Sequence, residues 1–205
     1  GSVMKSFRIC MQNIRKWGSN SRIKMCLIMS FLFVYSYISG MWKIIPLVGE
    51  KMNPWIFPFL FCWRFMKIVF MAPIVFIFCD APFIDSNQSY VMLRTSRKKW
   101  CFGQVLYIYA GSVIYAFVLF FSTIIINIGH IKWGTSWGKV LGSAGTSTVL
   151  STLGINYTTV KVPTIVIRYY TPAQAMFFSF LLMVLSFIFI GLLIYTVNVI
   201  TKTNV

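Results

Sequence analysis

Apolar positions in this chain come in long blocks, and the blocks are too long for the core of a small soluble domain. Residues 101–131, 31 in all, and residues 169–201, 33 in all, contain no Lys, Arg, Asp or Glu. One unpaired charge at the centre of a spanning helix costs at least ~2.5 to 3.5 kcal/mol on insertion scales, so such runs mark where lipid replaces water. The pattern predicts an all-α, polytopic integral membrane protein with about four transmembrane helices at residues 23–42, 63–79, 101–128 and 176–200. The first, bracketed by Lys24 and Lys43, matches the ~30 Å hydrocarbon thickness at 1.5 Å per residue. The second ends at Asp80-Ala81-Pro82 and contains Pro73, which predicts a kink.

Between these spans the pattern changes character. At residues 4–17, Met4, Phe7, Met11, Ile14 and Trp17 recur at intervals of three and four, while Lys5, Arg8, Arg15 and Lys16 lie off that stripe. This predicts an amphipathic helix in the membrane surface. Gly18-Ser19-Asn20-Ser21 ends it. Pro46, Gly49, Glu50 and Lys51 predict a turn, and the aromatic stretch Pro54 to Cys62 is short enough to be a re-entrant or interfacial helix. Residues 80–100 form a polar loop. Residues 129–175 form a long external segment in which Val160, Val162, Ile165, Val166 and Ile167 suggest a strand or a surface helix. Residues 1–3 precede Met4, which reads as the native start, so residues 4–205 are taken as one membrane domain.

Composition agrees. Of 205 residues, 58% are hydrophobic and 11% charged, whereas a soluble domain carries roughly a quarter charged residues. The net charge of +16 comes from 19 Lys and Arg against Glu50, Asp80 and Asp85. Because the cations are scattered between apolar spans, anionic membrane lipids account for them better than nucleic acid, which is not expected as a partner. Eleven Lys and Arg fall on one side of the predicted spans and six on the other. The positive-inside rule then places both termini in the cytoplasm of a multi-pass cell-membrane protein, with 80–100 as a cytoplasmic loop. The five widely spaced cysteines predict neither a disulfide framework nor a metal site.

Candidate chemistry is sparse. His130 has no neighbouring acid or cysteine, and three acids leave too few groups for hydrolysis inside a membrane, so no catalytic residue and no enzyme activity are expected. Gly134 to Val140 imitates a phosphate-binding loop but has three residues between its glycines instead of four, and Val140 where a magnesium-binding hydroxyl is required. No cofactor is therefore expected in this chain. Arg64 and Lys67, three residues apart on one helical face, either line a polar path to an anionic substrate or snorkel to the outer headgroups, with Glu50 as a partner. In the loop, Asp85 or Ser86 caps a short helix running to about Arg94, with Tyr90 and Leu93 on one side, before Arg97, Lys98 and Lys99 lead into the third span.

The run Asp80-Ala81-Pro82-Phe83 with Asp85, followed by Arg94-Thr95-Ser96-Arg97-Lys98-Lys99-Trp100, resembles the cytoplasmic loop of ABC exporter permeases of the type 2 class. The N-terminal interfacial helix and Asn53-Pro54-Trp55 ahead of the second span are similar too. The resemblance implies a permease subunit of an ATP-driven exporter, paired with a second permease subunit, whose cytoplasmic ABC ATPase binds ATP and magnesium. It makes Asp85, Tyr90, Leu93, Arg94, Arg97, Lys98 and Lys99 the residues that dock the ATPase. The family has six spans where this chain shows four, so the last two are missing from this polypeptide or supplied by a partner. The alternative is a non-transporting membrane component such as an immunity protein, assembly factor or scaffold.

Overall fold

The computed structural model describes residues 2–82, 90, 96–146, 151, 152, 154 and 160–203. Among them there is no strand. The helices are α1 (Ser2–Arg15), α2 (Ser21–Ser39), α3 (Ile45–Val48), α4 (Arg64–Phe78), α5 (Arg97–Ile126), α6 (Gly138–Ala144), α7 (Thr164–Tyr169) and α8 (Pro172–Thr203). Tight 3₁₀ turns continue α2, so helical backbone runs on to Val48, where Gly49 stops it at φ +72°. A left-handed residue costs glycine little because it has no Cβ to collide with the backbone.

Among the described residues, three helical segments are long and apolar enough to cross a membrane: Ser21–Val48, Arg97–Ile126 and Pro172–Thr201. Their outward faces suit hydrocarbon. On α8, Leu182 is 65% and Phe189 67% exposed, while the buried polar residues include Ser30, Gln104, Ser112, Thr123 and Asn127. Water would not tolerate so large an apolar exterior. Several of the small polar residues bond within their own helix, as when the hydroxyls of Ser112 and Ser122 donate to carbonyls one turn back. The fourth expected span, α4, has 15 residues and is therefore ~22 Å long, less than the ~30 Å of a hydrocarbon core. It contains Pro73 within its helical bounds.

By internal packing the residues group into two units, residues 1–28, 71–116 and 184–205, and residues 29–70 and 117–183. In the first, the core is aromatic: Phe78 meets Tyr107 edge-on at 5.7 Å, and Tyr115 meets Phe187 at 5.0 Å. Helices approach closely where glycine removes the side chain. A Cβ on Gly111 would stand 2.9 Å from Phe78 and 3.2 Å from Trp17, and one on Gly191 2.6 Å from Ile108.

In the second unit, Pro54 to Cys62 departs from the expected helix. It folds as turns around a short 3₁₀ segment, Phe57–Phe59, whose two phenylalanines are wholly buried. Two prolines and a run of bulky rings work against a regular interfacial helix, and burial of the rings supplies the stabilisation instead. Phe57 packs against Phe120 at 5.5 Å, Phe59 against Trp137 at 5.3 Å, and the Tyr37 hydroxyl donates to the Phe59 carbonyl at 3.2 Å. The chain around Met52 then pairs with the stretch after His130. Met52 N–H donates to the His130 carbonyl at 3.0 Å, and Lys132 N–H to the Met52 carbonyl at 2.9 Å. Of the suggested strand or surface helix near 160–167, Thr164 onward is helical in α7, and Val160 and Val162 are buried.

The carboxylate of Glu50 goes to Lys139, at 2.7 Å, and not to Arg64 or Lys67. That hydrogen bond holds the Glu50 carboxyl below its ordinary value. A carboxylate with a lowered folded value stabilises the fold above its unfolded pKa of ~4.3, and loses that contribution as pH falls through the folded value. Glu50→Gln should thus melt slightly below the unmodified protein at neutral pH, with the gap closing on acidification below ~4. A gap independent of pH, followed by thermal melts in detergent, would assign the effect to something other than this pair.

Candidate functional site

The loop at residues 80–100 is the part of the chain with the most clustered polar chemistry, and its two ends are fastened to neighbouring helices. Asp85, Leu93 and Arg94 lie outside the described residues, as does the expected cap at Asp85 or Ser86. Tyr90 is described and is 71% exposed. Arg97 and Lys98 are exposed in the first turn of α5, and Lys99 is half-buried.

At the start of the loop, α4 ends at Phe78 and the chain is caught from two sides. The Arg22 guanidinium, at the beginning of α2, forms an ion pair with Asp80. From α8, the Asn198 amide donates to the carbonyls of Cys79 at 2.9 Å and Ala81 at 2.6 Å. These carbonyls lie just past the end of α4, where the helix can no longer satisfy them, and the amide nitrogen carries enough donors to serve both.

At the far end the fastening is to α1. Ser6 Oγ donates to the Lys99 carbonyl at 3.0 Å, Asn13 Nδ2 to Gln104 Oε1 at 3.3 Å, and Trp17 Nε1 to the Tyr107 hydroxyl at 2.7 Å. Partners ascend together along both helices, so α1 and the start of α5 run in the same direction. Gly103 lets α1 approach: a Cβ there would be 3.0 Å from Ile9. Small residues that admit close backbone contact, with polar side chains bonding across the seam, are the usual cement of helices in lipid.

This seam reassigns the faces of α1. The buried side is Ser6, Cys10 and Asn13, continued by Trp17 in the 3₁₀ turn that follows α1. Of the expected apolar stripe, Met4, Phe7 and Met11 are exposed, and only Trp17 at its end is buried. The protein-facing sector of α1 had no hydrophobic signature in the sequence. Burial pushes the Cys10 thiol above its ordinary value, which lowers its thiolate content and reactivity.

The other candidates remain apart from this cluster. Arg64 and Lys67 are exposed on α4 beside Phe65 and Ile68, themselves 58% and 69% exposed. Neither is in an ion pair with a carboxylate among the described residues. His130 stacks on Trp42 with ring centres 4.5 Å apart, while Trp42 Nε1 donates to Asn127 Oδ1 at 3.0 Å. Lys161 lies 5.6 Å from the centre of the Trp63 ring. A cavity of about 590 Å³ is lined by Thr146, Thr164, Ile165, Ile167, Arg168 and Tyr169. Among the described residues no group of three or more His, Cys, Asp or Glu side chains is placed to hold a metal.

Sequence reasoning missed Asn198, Arg22 and the three donors of α1. The spacing of Gly103 and Gly111, eight residues apart and so on one helical face, was the available signal for the seam. Compared with protein-family models, with curated proteins and with solved structures, the chain matches none.

Proposed function

We propose that this chain is the permease subunit of an ATP-driven exporter of the ABC type, coupled through residues 80–100 to a separate cytoplasmic ATPase. In this reading α4 is a fourth, short crossing and α1 lies in the interface. Both termini and the loop face the cytoplasm. A second permease subunit completes the pathway, and ATP and magnesium belong to the ATPase.

The observation that carries the reading is the double fastening of the loop. A loop that only joined two spans would need no such ties. Here its start is tied through Asp80, Cys79 and Ala81 to α2 and α8, and its end through Lys99 to α1, with Gln104 and Tyr107 of the following α5 turns tied to α1 and the 3₁₀ turn after it. A push on exposed Tyr90 would reach α1, α2 and α8 as well as α4 and α5, which is what turning an ATPase movement into a membrane movement requires.

Purification of the full chain from its native membranes in mild detergent should bring down an ATPase carrying a phosphate-binding loop. Replacing Tyr90, Leu93 and Arg94 by alanine should lower its recovery at least about tenfold, because interface tyrosines and arginines each commonly carry more than ~1 kcal/mol. Recovery unchanged by the triple replacement would overturn the docking assignment. Recovery of a stable complex without any ATPase would favour a non-transporting component.

A further inference from the structure

We propose that the cavity between α6 and α7 binds an anionic amphiphile, with Arg168 taking its phosphate head and Ile165 and Ile167 lining the path of its apolar chain. The cavity measures about 590 Å³, within the ~300 to 1,000 Å³ of small-molecule sites. Its lining has one cation and no acid. Arg168 stands there with the hydroxyl-bearing Thr146, Thr164 and Tyr169 and with the two isoleucines.

The walls are held at both ends. Trp137, just ahead of α6, donates from Nε1 to the carbonyl of Tyr170, just past α7, at 2.9 Å. At the opposite ends, a Cβ on Gly145 would be 3.4 Å from Thr164, Ile167 and the Val162 carbonyl. The two helices are thus fixed against each other before any ligand arrives, which lowers the ordering cost of binding.

The donors are free to meet an anion. Arg168 is exposed and has no carboxylate partner among the described residues, and the Thr164 hydroxyl has no hydrogen bond among them. Thr164 and Arg168 are four positions apart in α7, so both serve one side of that helix. A guanidinium presents a planar fork of N–H donors that matches phosphate, and a hydroxyl beside it adds a further bond.

Depth in the membrane selects among anions. Arg168 lies four positions before Pro172, where the spanning helix α8 begins, which sets it at the level of lipid headgroups. Ile165 is 66% exposed, and Phe177 and Phe178, early in α8, continue the apolar exterior at 65% and 49%. A neutral sugar or peptide would leave the guanidinium unmatched, and a small inorganic anion would leave the apolar walls wet. The site stands on α6 and α7 and does not depend on an ATPase docking elsewhere.

The test is amide hydrogen exchange of the full-length protein in neutral detergent, followed at residues 138–146 and 164–170 during titration with dihexanoyl phosphatidylglycerol. Exchange in both segments should slow saturably. Dihexanoyl phosphatidylcholine, whose head has no net charge, and inorganic phosphate, which has no chains, should each need at least about tenfold more. Arg168→Gln should raise the half-saturating concentration about tenfold, as loss of a hydrogen bond to a charged group commonly does, and Arg168→Lys should recover part of it by charge alone. Gly142→Leu keeps Arg168 but fills the cavity. A Cβ at Gly142 meets nothing within 4 Å and the residue is helical, so this variant should melt no lower than its parent while binding as weakly as Arg168→Gln. Lys43→Gln, which removes the same charge from an exposed position outside the lining, should bind normally.

The absence of saturable slowing with phosphatidylglycerol would overturn the proposal, as would normal binding by a stable Gly142→Leu protein. An equal response to phosphatidylcholine would remove the role assigned to charge, and an equal response to inorganic phosphate would show a free-anion site in place of an amphiphile site. Should Gly142→Leu melt early, the two charge variants still decide: equal weakening by Arg168→Gln and Lys43→Gln would assign the lipid to the general positive field of the protein and not to this cavity.

Discussion

Gly191→Leu should leave little folded protein. A Cβ at this position already stands 2.6 Å from Ile108 Cγ2 and 3.1 and 3.3 Å from Phe78 ring carbons, and both neighbours are fully buried. Leucine adds three more carbons to a space that does not accept the first. Overpacking of a tight core costs ~1 to 3 kcal/mol for modest insertions, and a total stability of 5 to 15 kcal/mol is typical, so the leucine variant should lose its monodisperse peak in size-exclusion chromatography or melt far below the unmodified protein. Gly191→Ala should fall between them, because it adds only the first of those carbons. Pairing Gly191→Ala with Ile108→Val should recover part of the loss, a coupling that a double-mutant cycle in detergent would measure. Phe189→Leu, on the exposed face, is the control expected to melt normally. A Gly191→Leu protein as stable as its parent would mean that α8 does not approach Ile108 and Phe78 at all.

Gly138→Val should be the most damaging change in the second unit. Gly138 opens α6 at φ +74°, a region that costs other residues ~1 to 2 kcal/mol and a β-branched one more. Its Cβ would also stand 2.9 Å from Asn53 Oδ1, beneath an amide that donates to the Ser136 carbonyl. Strain and collision together predict a loss of ~2 to 4 kcal/mol, read as a lower midpoint in chemical denaturation and faster proteolysis around residues 49–63. Asn53→Ala in the same chain should relieve the collision but not the strain, restoring stability only in part. Full restoration would show that backbone conformation contributes nothing there.

These two glycines mark where the linear pattern stops being informative. The absence of charge from residues 101–131 and 169–201 was enough to anticipate α5 and α8, since the cost of a bare charge in hydrocarbon depends on the residue alone. Asp80-Ala81-Pro82 likewise anticipated the end of α4 near Phe78, because proline and a polar stop act locally. By contrast, Pro54 to Cys62 read as a re-entrant or interfacial helix and proved to be a buried aromatic turn. Its length and rings were visible, but whether they met lipid or Phe120 and Trp137 was not.

The candidate site shows the same division. Its charges, and the exposed apolar stripe Met4, Phe7 and Met11, could be read from period and composition. The partner of Asp80, 58 residues away at Arg22, could not, and neither could the face of α1 that binds Gln104 and Tyr107. In water a helix declares its packed face by hydrophobicity. In lipid the outer face is as apolar as the inner one, so hydropathy no longer distinguishes them.

Local composition therefore decided which stretches of this chain leave water, and roughly where each begins and ends, because transfer free energy is a property of the residues being transferred. Which helices touch, and hence that the loop between α4 and α5 is held at both ends, was decided by side-chain fit at Gly103, Gly111 and Gly191 and by the bonds of Arg22, Asn198 and Ser6. Fit requires two partners in register, and that register exists only once the chain has folded.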